Sequence, residues 1–393
     1  MKLTELNLHH FRNYNEAQVE FSPQINFLIG ENAQGKTNLL ESIYVLAMTR
    51  SHRTNNDREL IEFGKDAAQI KGTVQRELGS LKLELDIGKH GKKAKANHLE
   101  KARLSEYLGQ LNVILFAPED LALVKGAPTV RRRFIDMEFG QVSPKYLHDL
   151  TQYRDILKQR NRYLKQLQSH EAQDQLYLEV LSEQLAAVGG AIINQRVKFL
   201  SELEGYAQKL HQSITQGKEK LTFEYSSAVK DAAALTEVEL SEALMELYRQ
   251  NQAKEIFQGT TLYGPHRDDV RFLINQKNVQ TYGSQGQQRT TALSVKLAEI
   301  DLMKNQTGEY PILLLDDVLS ELDGARQTHL LKTIQDKVQT FLTTPGLSDV
   351  ARNLIKEPRI FHIRDGQIIP EKQAALKTEV FYPTKQDKTA NKE

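Results

Sequence analysis

The sequence predicts an α/β fold, a mixed sheet flanked by helices, interrupted by an inserted α-helical second domain. Three stretches carry that prediction. Gly30-Glu31-Asn32-Ala33-Gln34-Gly35-Lys36-Thr37 matches G-x-x-x-x-G-K-[ST] without deviation, between an apolar run at 25–29 and a helical run from 38. Strand, glycine loop and helix together are the context of a phosphate-binding loop. Ile312-Leu313-Leu314-Leu315 is wholly apolar and ends in Asp316-Asp317. A strand buried on both faces reads this way, and its carboxyl end is where α/β sheets bind ligands. Between these stretches, Tyr146, Leu150, Tyr153, Leu157, Leu164 and Leu167, then Leu181, Leu185, Val188 and Ile192, fall at helical spacing.

Taken in order, Leu3, Leu6, Leu8 and Phe11 alternate as an N-terminal strand, and Val19 and Phe21 belong to a second. Arg12-Asn13-Tyr14 between them either faces a nucleotide or makes a plain turn. In the phosphate loop, Gly30 and Gly35 let successive N–H groups point at phosphate oxygens, Lys36 reaches the β- and γ-phosphates, and Thr37 offers its hydroxyl to Mg²⁺. Residues 49–57 are polar and aperiodic, a loop. Residues 68–87 alternate as two antiparallel strands, with the lysine-rich run 89–95 as the next hairpin tip, either a charged turn that protects a sheet edge or a phosphate contact.

Leu111 to Phe116 is a buried strand, and Glu119 and Asp120 open the helix after it. Two long helices follow, broken near Ser169-His170, then one over 232–250. Strands return at 260–262 and 270–274. Tyr282-Gly283-Ser284-Gln285-Gly286-Gln287 enters a helix through glycines, the form of an anion-binding N-terminus. Asp316 is placed to hold Mg²⁺ and Asp317 to orient or deprotonate a water. Residues 360–369 make a terminal hairpin about Asp365-Gly366.

The expected organisation is an ATPase head at 1–119, a helical insertion at 120–255, the rest of the head at 256–370, and a poorly apolar, disordered tail at 371–393. The 393 residues suffice for two domains. Lys and Arg, 52 in all, nearly balance 51 Asp and Glu, so only local patches can speak for nucleic acid. The lack of cysteine excludes disulfides and thiolate metal sites and fits a reducing cytoplasm. No signal peptide and no run of about 18 apolar residues is present, so no membrane partner is expected.

The order of these motifs resembles the SMC-like branch of the ABC-type ATPases, and within it the RecF family of bacterial DNA repair and recombination proteins. FRNYNEA, GENAQGKTNLLESIY, SHRTNNDRELI, FAPEDL, RRRFID, LYGPHRDD, GSQGQQRT and PILLLDDVLSELD carry the likeness from residue 11 to 323. The resemblance implies an ABC-type head that uses ATP and Mg²⁺ and forms an ATP-dependent homodimer. In it, Ser284, Gly286 and Gln287 of one copy close on the nucleotide held by Gly30 to Thr37 and Asp316 of the other.

It also implies binding to single-stranded, double-stranded and gapped DNA, recombination mediator proteins (RecR, RecO) as partners, and roles in recombinational repair, replication-fork maintenance and SOS induction. Arg131, Arg132, Arg133 and Arg160 are the candidate DNA contacts. The chain departs from the ABC pattern in three places: the catalytic Glu is Asp317, the switch His falls near Thr344, and Glu119 stands where a Gln is usual. A weak, DNA-dependent ATPase is therefore expected. The competing reading is another SMC-like ATPase serving as a nucleotide-gated scaffold. A transporter is disfavoured by the helical insertion, and a kinase has no use for the GSQGQ turn.

Overall fold

A computed structural model describes residues 1–89, 91–346, 355 and 358–369. The chain opens with β1 (Lys2–Phe11), β2 (Tyr14–Glu20) and β3 (Ile25–Ile29), then α1 (Lys36–Met48), β4 (Ala67–Arg76), β5 (Gly79–Gly88), β6 (Gly91–Ala96), β7 (Leu99–Glu100) and β8 (Val113–Phe116). The middle holds α2 (Ala122–Lys125), α3 (Pro128–Val142), α4 (Pro144–Gln168), α5 (Gln175–Thr215), β9 (Leu221–Ser226), α6 (Glu237–Gln250), α7 (Gln252–Gln258), β10 (Asp269–Ile274), β11 (Lys277–Asn278) and α8 (Val279–Tyr282). It closes with α9 (Gln285–Thr307), β12 (Ile312–Asp316), α10 (Gly324–Ile334), β13 (Thr340–Thr344), β14 (Arg359–Arg364) and β15 (Gln367–Ile369).

Two sheets face each other across α1. One is antiparallel, in the order β2-β1-β4-β5-β6-β7. The other runs β15-β14-β3-β13-β12-β8, parallel except at β15. Alternation along β12 explains why it is apolar throughout. Ile312 and Leu314 join the core shared with α1 and the antiparallel sheet, while Leu313 and Leu315 join a second core with α9 and α10. Burial on both faces favours a near-continuous apolar run.

The helical part is built on α3 to α7. Helix α5 is long and apolar enough to cross a membrane by length and composition. Its Leu185, Ile192, Ile193 and Leu200 instead pack with Tyr153 of α4, Leu244 of α6 and Val295 of α9. Helix α9 is buried nearly all round for a related reason: Leu293, Leu297 and Ile300 face the parallel sheet, whereas Ala292, Val295 and Leu302 face the helical part. Its Lys296 is held inside by Glu299 at 3.0 Å and Glu138 of α3 at 3.5 Å, with the ammonium 4.9 Å from the Phe134 ring.

Three sequence expectations change. Residues 260–262 are not a strand. Strand β10 is present but pairs with β9 in a small separate sheet, so it packs with the helical part although it lies beyond 255. The lysine run begins at the turn after β5, with Lys89, but from residue 91 to 95 it is strand β6 and not a hairpin tip. Lys92 pairs with Asp57 at 2.7 Å and Lys95 with Asp86 at 3.1 Å, so the run is neutralised at home. The expected tail, 371–393, lies outside the described residues.

Tyr263-Gly264-Pro265-His266-Arg267-Asp268-Asp269 is a buried junction of this part. Tyr225 donates to Asp268 at 2.6 Å, Arg196 donates to the Pro265 carbonyl at 2.6 Å, and Arg131 clamps Asp269. His266 donates through Nε2 to the Thr261 carbonyl at 3.3 Å and shares a hydrogen bond of 2.7 Å between Nδ1 and the Tyr153 hydroxyl, in which the neutral ring accepts.

Arg160 is 1% exposed. It donates to Glu255 at 2.7 Å, Thr261 at 2.8 Å and Ser182 at 2.9 Å, and lies over the Tyr248 ring. Arg160→Met leaves the fully buried Glu255 charge unpaired and should cost about 3–5 kcal/mol in urea unfolding, most of it recovered when Glu255→Leu is added. Burial lowers the pKa of His266 to about 4, against about 6.5 for a free imidazole. Between those pH values the unfolded chain binds a proton that the folded chain does not, so stability falls as pH drops from 6.5 to 4. The loss should reach about 3 kcal/mol, and His266→Gln should flatten that part of the stability–pH curve.

Candidate nucleotide site

Strand β3 delivers the chain to the phosphate loop, and α1 leaves it. Gly35 has φ 111°, left-handed backbone, and a Cβ there would meet Asn13 Nδ2 at 2.7 Å. Glycine is required on both counts. The Lys36 ammonium folds back to donate to the carbonyls of Gly30 at 2.5 Å and Glu31 at 2.7 Å. It thus spans the mouth of the loop that Glu31, Asn32, Ala33 and Gln34 form on the surface. Burial lowers the Lys36 pKa, opposed by the charges of Asp317 and Asp316.

The parallel sheet brings the two sequence motifs together. Strand β13 lies between β3 and β12, so the carboxyl ends of all three strands lie side by side. Thr37 donates to Asp316 Oδ1 at 3.0 Å, and Thr343 donates to the same oxygen at 2.7 Å. The Asp317 N–H donates to Thr343 Oγ1 at 2.9 Å, with Asp317 at φ 52°. Its Oδ1 is buried without a hydrogen-bond partner among the described residues. A buried, unsatisfied carboxylate oxygen beside an ammonium is where a ligand or water belongs.

A buttress behind the loop was only half legible in the sequence. Tyr14 donates to the Gly35 carbonyl at 3.0 Å, and Asn13 accepts from Asn38 at 2.8 Å, so the turn between β1 and β2 does face the loop. Glu41 of α1 is fully buried and clamps Arg12 through two bonds of 2.9 Å, with Ser51 at 2.5 Å. Burial pushes its carboxyl up, but the Arg12 and Ser51 hydrogen bonds and the charges of Arg12 and Arg53 hold it below the usual range. His52, next to this cluster, has Nδ1 buried without a partner among the described residues, and burial lowers its pKa. The turn of the terminal hairpin also reaches the loop: the N–H groups of Asp365 and Gly366 donate to the side chain and carbonyl of Gln34 at 2.8 and 2.9 Å. The sequence contains the hairpin but no signal of that contact.

The third motif stays apart. Ser284 caps α9, accepting from the Gln287 N–H at 3.2 Å, while Gln287 Oε1 accepts from the Ser284 N–H at 2.9 Å. Gln287 also donates to Glu219 at 2.9 Å, and the Gly286 carbonyl accepts from Arg326. Helix α9 packs on the face of the parallel sheet opposite α1. Within one chain the serine–glycine turn therefore does not cover the lysine loop, and Ser284 is exposed. Glu119 is exposed too, and Thr344 is buried, donating to the Gly346 carbonyl at 2.7 Å.

The expected DNA contacts divide. Arg131, 4% exposed, makes a bidentate pair with Asp269 at 2.7 and 2.8 Å, and Arg160 is enclosed as described above. Both are structural, because neither has a face left for a phosphate. Arg132 donates to the Asp268 carbonyl at 2.7 Å and is half-buried, and Arg133 is exposed.

Residues 2–345 match the model of the RecF/RecN/SMC N-terminal domain. The chain is 69% identical to the DNA replication and repair protein RecF of Ligilactobacillus salivarius strain UCC118, over 96% of this chain and 100% of that one. It is 57% identical to RecF of Enterococcus faecalis strain V583, over 94% and 98%. A solved structure of the recombination mediator protein RecF with ATP, in the RecFOR pathway, superposes with a TM-score of 0.87 at 34% identity, over 94% of this chain and 97% of that one. The Smc head domain of Pyrococcus furiosus, 15% identical over 96% of this chain and 98% of that one, shares the fold with a TM-score of 0.54. With the phosphate loop, the paired aspartates and the serine-capped helix on one ABC-type head, the chain belongs to the RecF family of DNA replication and repair proteins.

Proposed function

We propose that the chain is an ATP-controlled DNA-binding protein of recombinational repair, with roles in replication-fork maintenance and SOS induction. It binds single-stranded and gapped DNA in the cytoplasm and works with RecO and RecR. Two copies join around ATP, and slow hydrolysis releases them. The observation that carries this reading is the division of the site. Lys36, Thr37, Asp316 and Asp317 converge at one end of the sheet, whereas the exposed N-terminus of α9 sits across the sheet from α1. A second copy supplies what one copy lacks. RecF structures described with ATP support the choice of nucleotide.

In the proposed cycle the N–H groups of residues 30–37 and the Lys36 ammonium bind the phosphates. The N-terminus of α9 in the second copy, capped by Ser284 and opened by Gly286, offers further N–H groups to the γ-phosphate. The hydroxyl of Thr37 and the carboxylate of Asp316 are hard oxygen donors that fit Mg²⁺, which keeps most of its other positions for water and phosphate. Bound there, the ion would neutralise charge on the β- and γ-phosphates. Asp317, whose Oδ1 has no partner among the described residues, orients the attacking water and accepts its proton. It is one methylene shorter than the usual Glu, and its backbone is tied to Thr343, so it reaches the water poorly and turnover is slow.

Ser284→Arg places a bulky cation at the turn and should abolish ATP-dependent dimerisation in light scattering, while the monomer binds ATP as before. Lost capping should cost only about 1 kcal/mol in thermal unfolding. Unaltered dimerisation would remove the two-copy reading. Wild-type turnover should stay well below ~10 s⁻¹, an ordinary enzyme value, and Asp317→Asn should slow it further and lengthen the life of the ATP dimer. A nucleotide-gated scaffold would show no such change.

A further inference from the structure

Charge balance over the whole chain hides a basic surface with few acidic neighbours. Two hollows adjoin on the side of the molecule where α1 ends. One, of about 410 Å³, lies among the end of α1, α3 and the start of α4, and includes Arg50, Arg132, Arg133 and Arg154 in its walls. The other, of about 470 Å³, follows α4 and includes Arg154, Lys158, Arg162 and Lys165. Arg154 lines both, so the hollows are neighbours on one surface.

We propose that Arg50, Arg133, Arg154, Lys158, Arg162 and Lys165 form a track for the sugar-phosphate backbone of a nucleic acid, leading from the end of the nucleotide-binding helix onto the helical part. This deepens the DNA-binding reading above and rests on it.

Five observations support the track. All six side chains belong to exposed residues. Only Arg154 makes an ion pair among the described residues, with Asp136 at 3.2 Å, and Asp136 is already shared with Arg196 at 2.8 Å. The lysines of β6 differ in this respect, since acidic neighbours neutralise them. The spacing suits a polyanion. Positions 154, 158, 162 and 165 fall on one stripe of α4, about 16 Å long at ~1.5 Å per residue. That length matches about five phosphates of one duplex strand at ~3.4 Å each.

The cations also crowd one another. Arg50 is exposed, yet the walls of the hollow partly desolvate it, and this, with the charges of Arg133 and Arg154, holds its pKa below its ordinary value, although Tyr44 and Glu138 oppose it. A bound phosphate relieves that repulsion. Finally, Leu157 and Asn161 are the residues between the cations in the α4 hollow, and no aromatic ring lines either hollow. The track therefore grips backbone and does not stack or read bases. Arg50 directly follows Thr49, the C-cap of α1, so nucleotide and nucleic acid would occupy opposite ends of one rigid helix.

The test is fluorescence anisotropy of a labelled gapped duplex with the full chain and ATP, titrated from 50 to 200 mM salt. The triple variant Lys158→Glu, Arg162→Glu, Lys165→Glu should weaken binding more than tenfold and reduce the log–log salt slope by about two to three. The corresponding triple alanine variant should show a smaller loss in the same direction, and Lys93→Ala on β6 should bind as wild type. Thermal unfolding of both triple variants should match wild type, since none of the three side chains has an ion-pair partner among the described residues. Triple variants with unchanged affinity and slope would overturn the track while leaving the DNA-binding reading in place. A wild-type chain that bound no DNA with ATP would overturn the DNA-binding reading and the track together.

Discussion

One carboxylate oxygen joins the two halves of the nucleotide end. Asp316 Oδ1 accepts from Thr37, 279 residues away in the chain, and from Thr343 on the strand between them. That meeting depends on β13 lying between β3 and β12, where it is buried along its whole length although three of its five residues are threonines. Parallel strands end together, so the loop after β3 and the aspartates after β12 arrive at one place.

Helix α9 couples this end to the rest of the molecule. It is packed between the parallel sheet and the helical part, and its buried Lys296 is tied to Glu138 of α3. A displacement of its serine-capped N-terminus therefore cannot stay local, because both faces of the helix are engaged and close-packed interiors transmit strain. Helix α9 thereby links the sheet that carries the nucleotide end to α3.

Charge inside the helical part is a matter of architecture. Arg131, Arg160 and Arg196 are each almost fully buried and bonded to a carboxylate. They pin α3, α4 and α5 to the 259–269 junction through groups that tolerate few alternative partners. Meanwhile the cations left on the surface of α4 keep their charge available.

The sequence by itself determined the strands that lead to the site, the long helices, the phosphate loop and the aspartate pair, because each is written in local periodicity or fixed spacing, whereas it placed a strand at 260–262 that is absent and missed β9. It also placed the turn at 365–366. Only the tertiary structure decided which cations are structural. Arg160 lies on the same helix as Lys158 and Arg162 and within two residues of each, yet it alone points inward to Glu255, a partner 95 residues away. No local pattern encodes that pairing. The same holds for Asp365 and Gly366 against Gln34, for β10 joining β9, and for the opposite placement of α1 and α9. Contacts between distant segments are settled by packing, and a one-dimensional pattern carries only the side chains that packing has to satisfy.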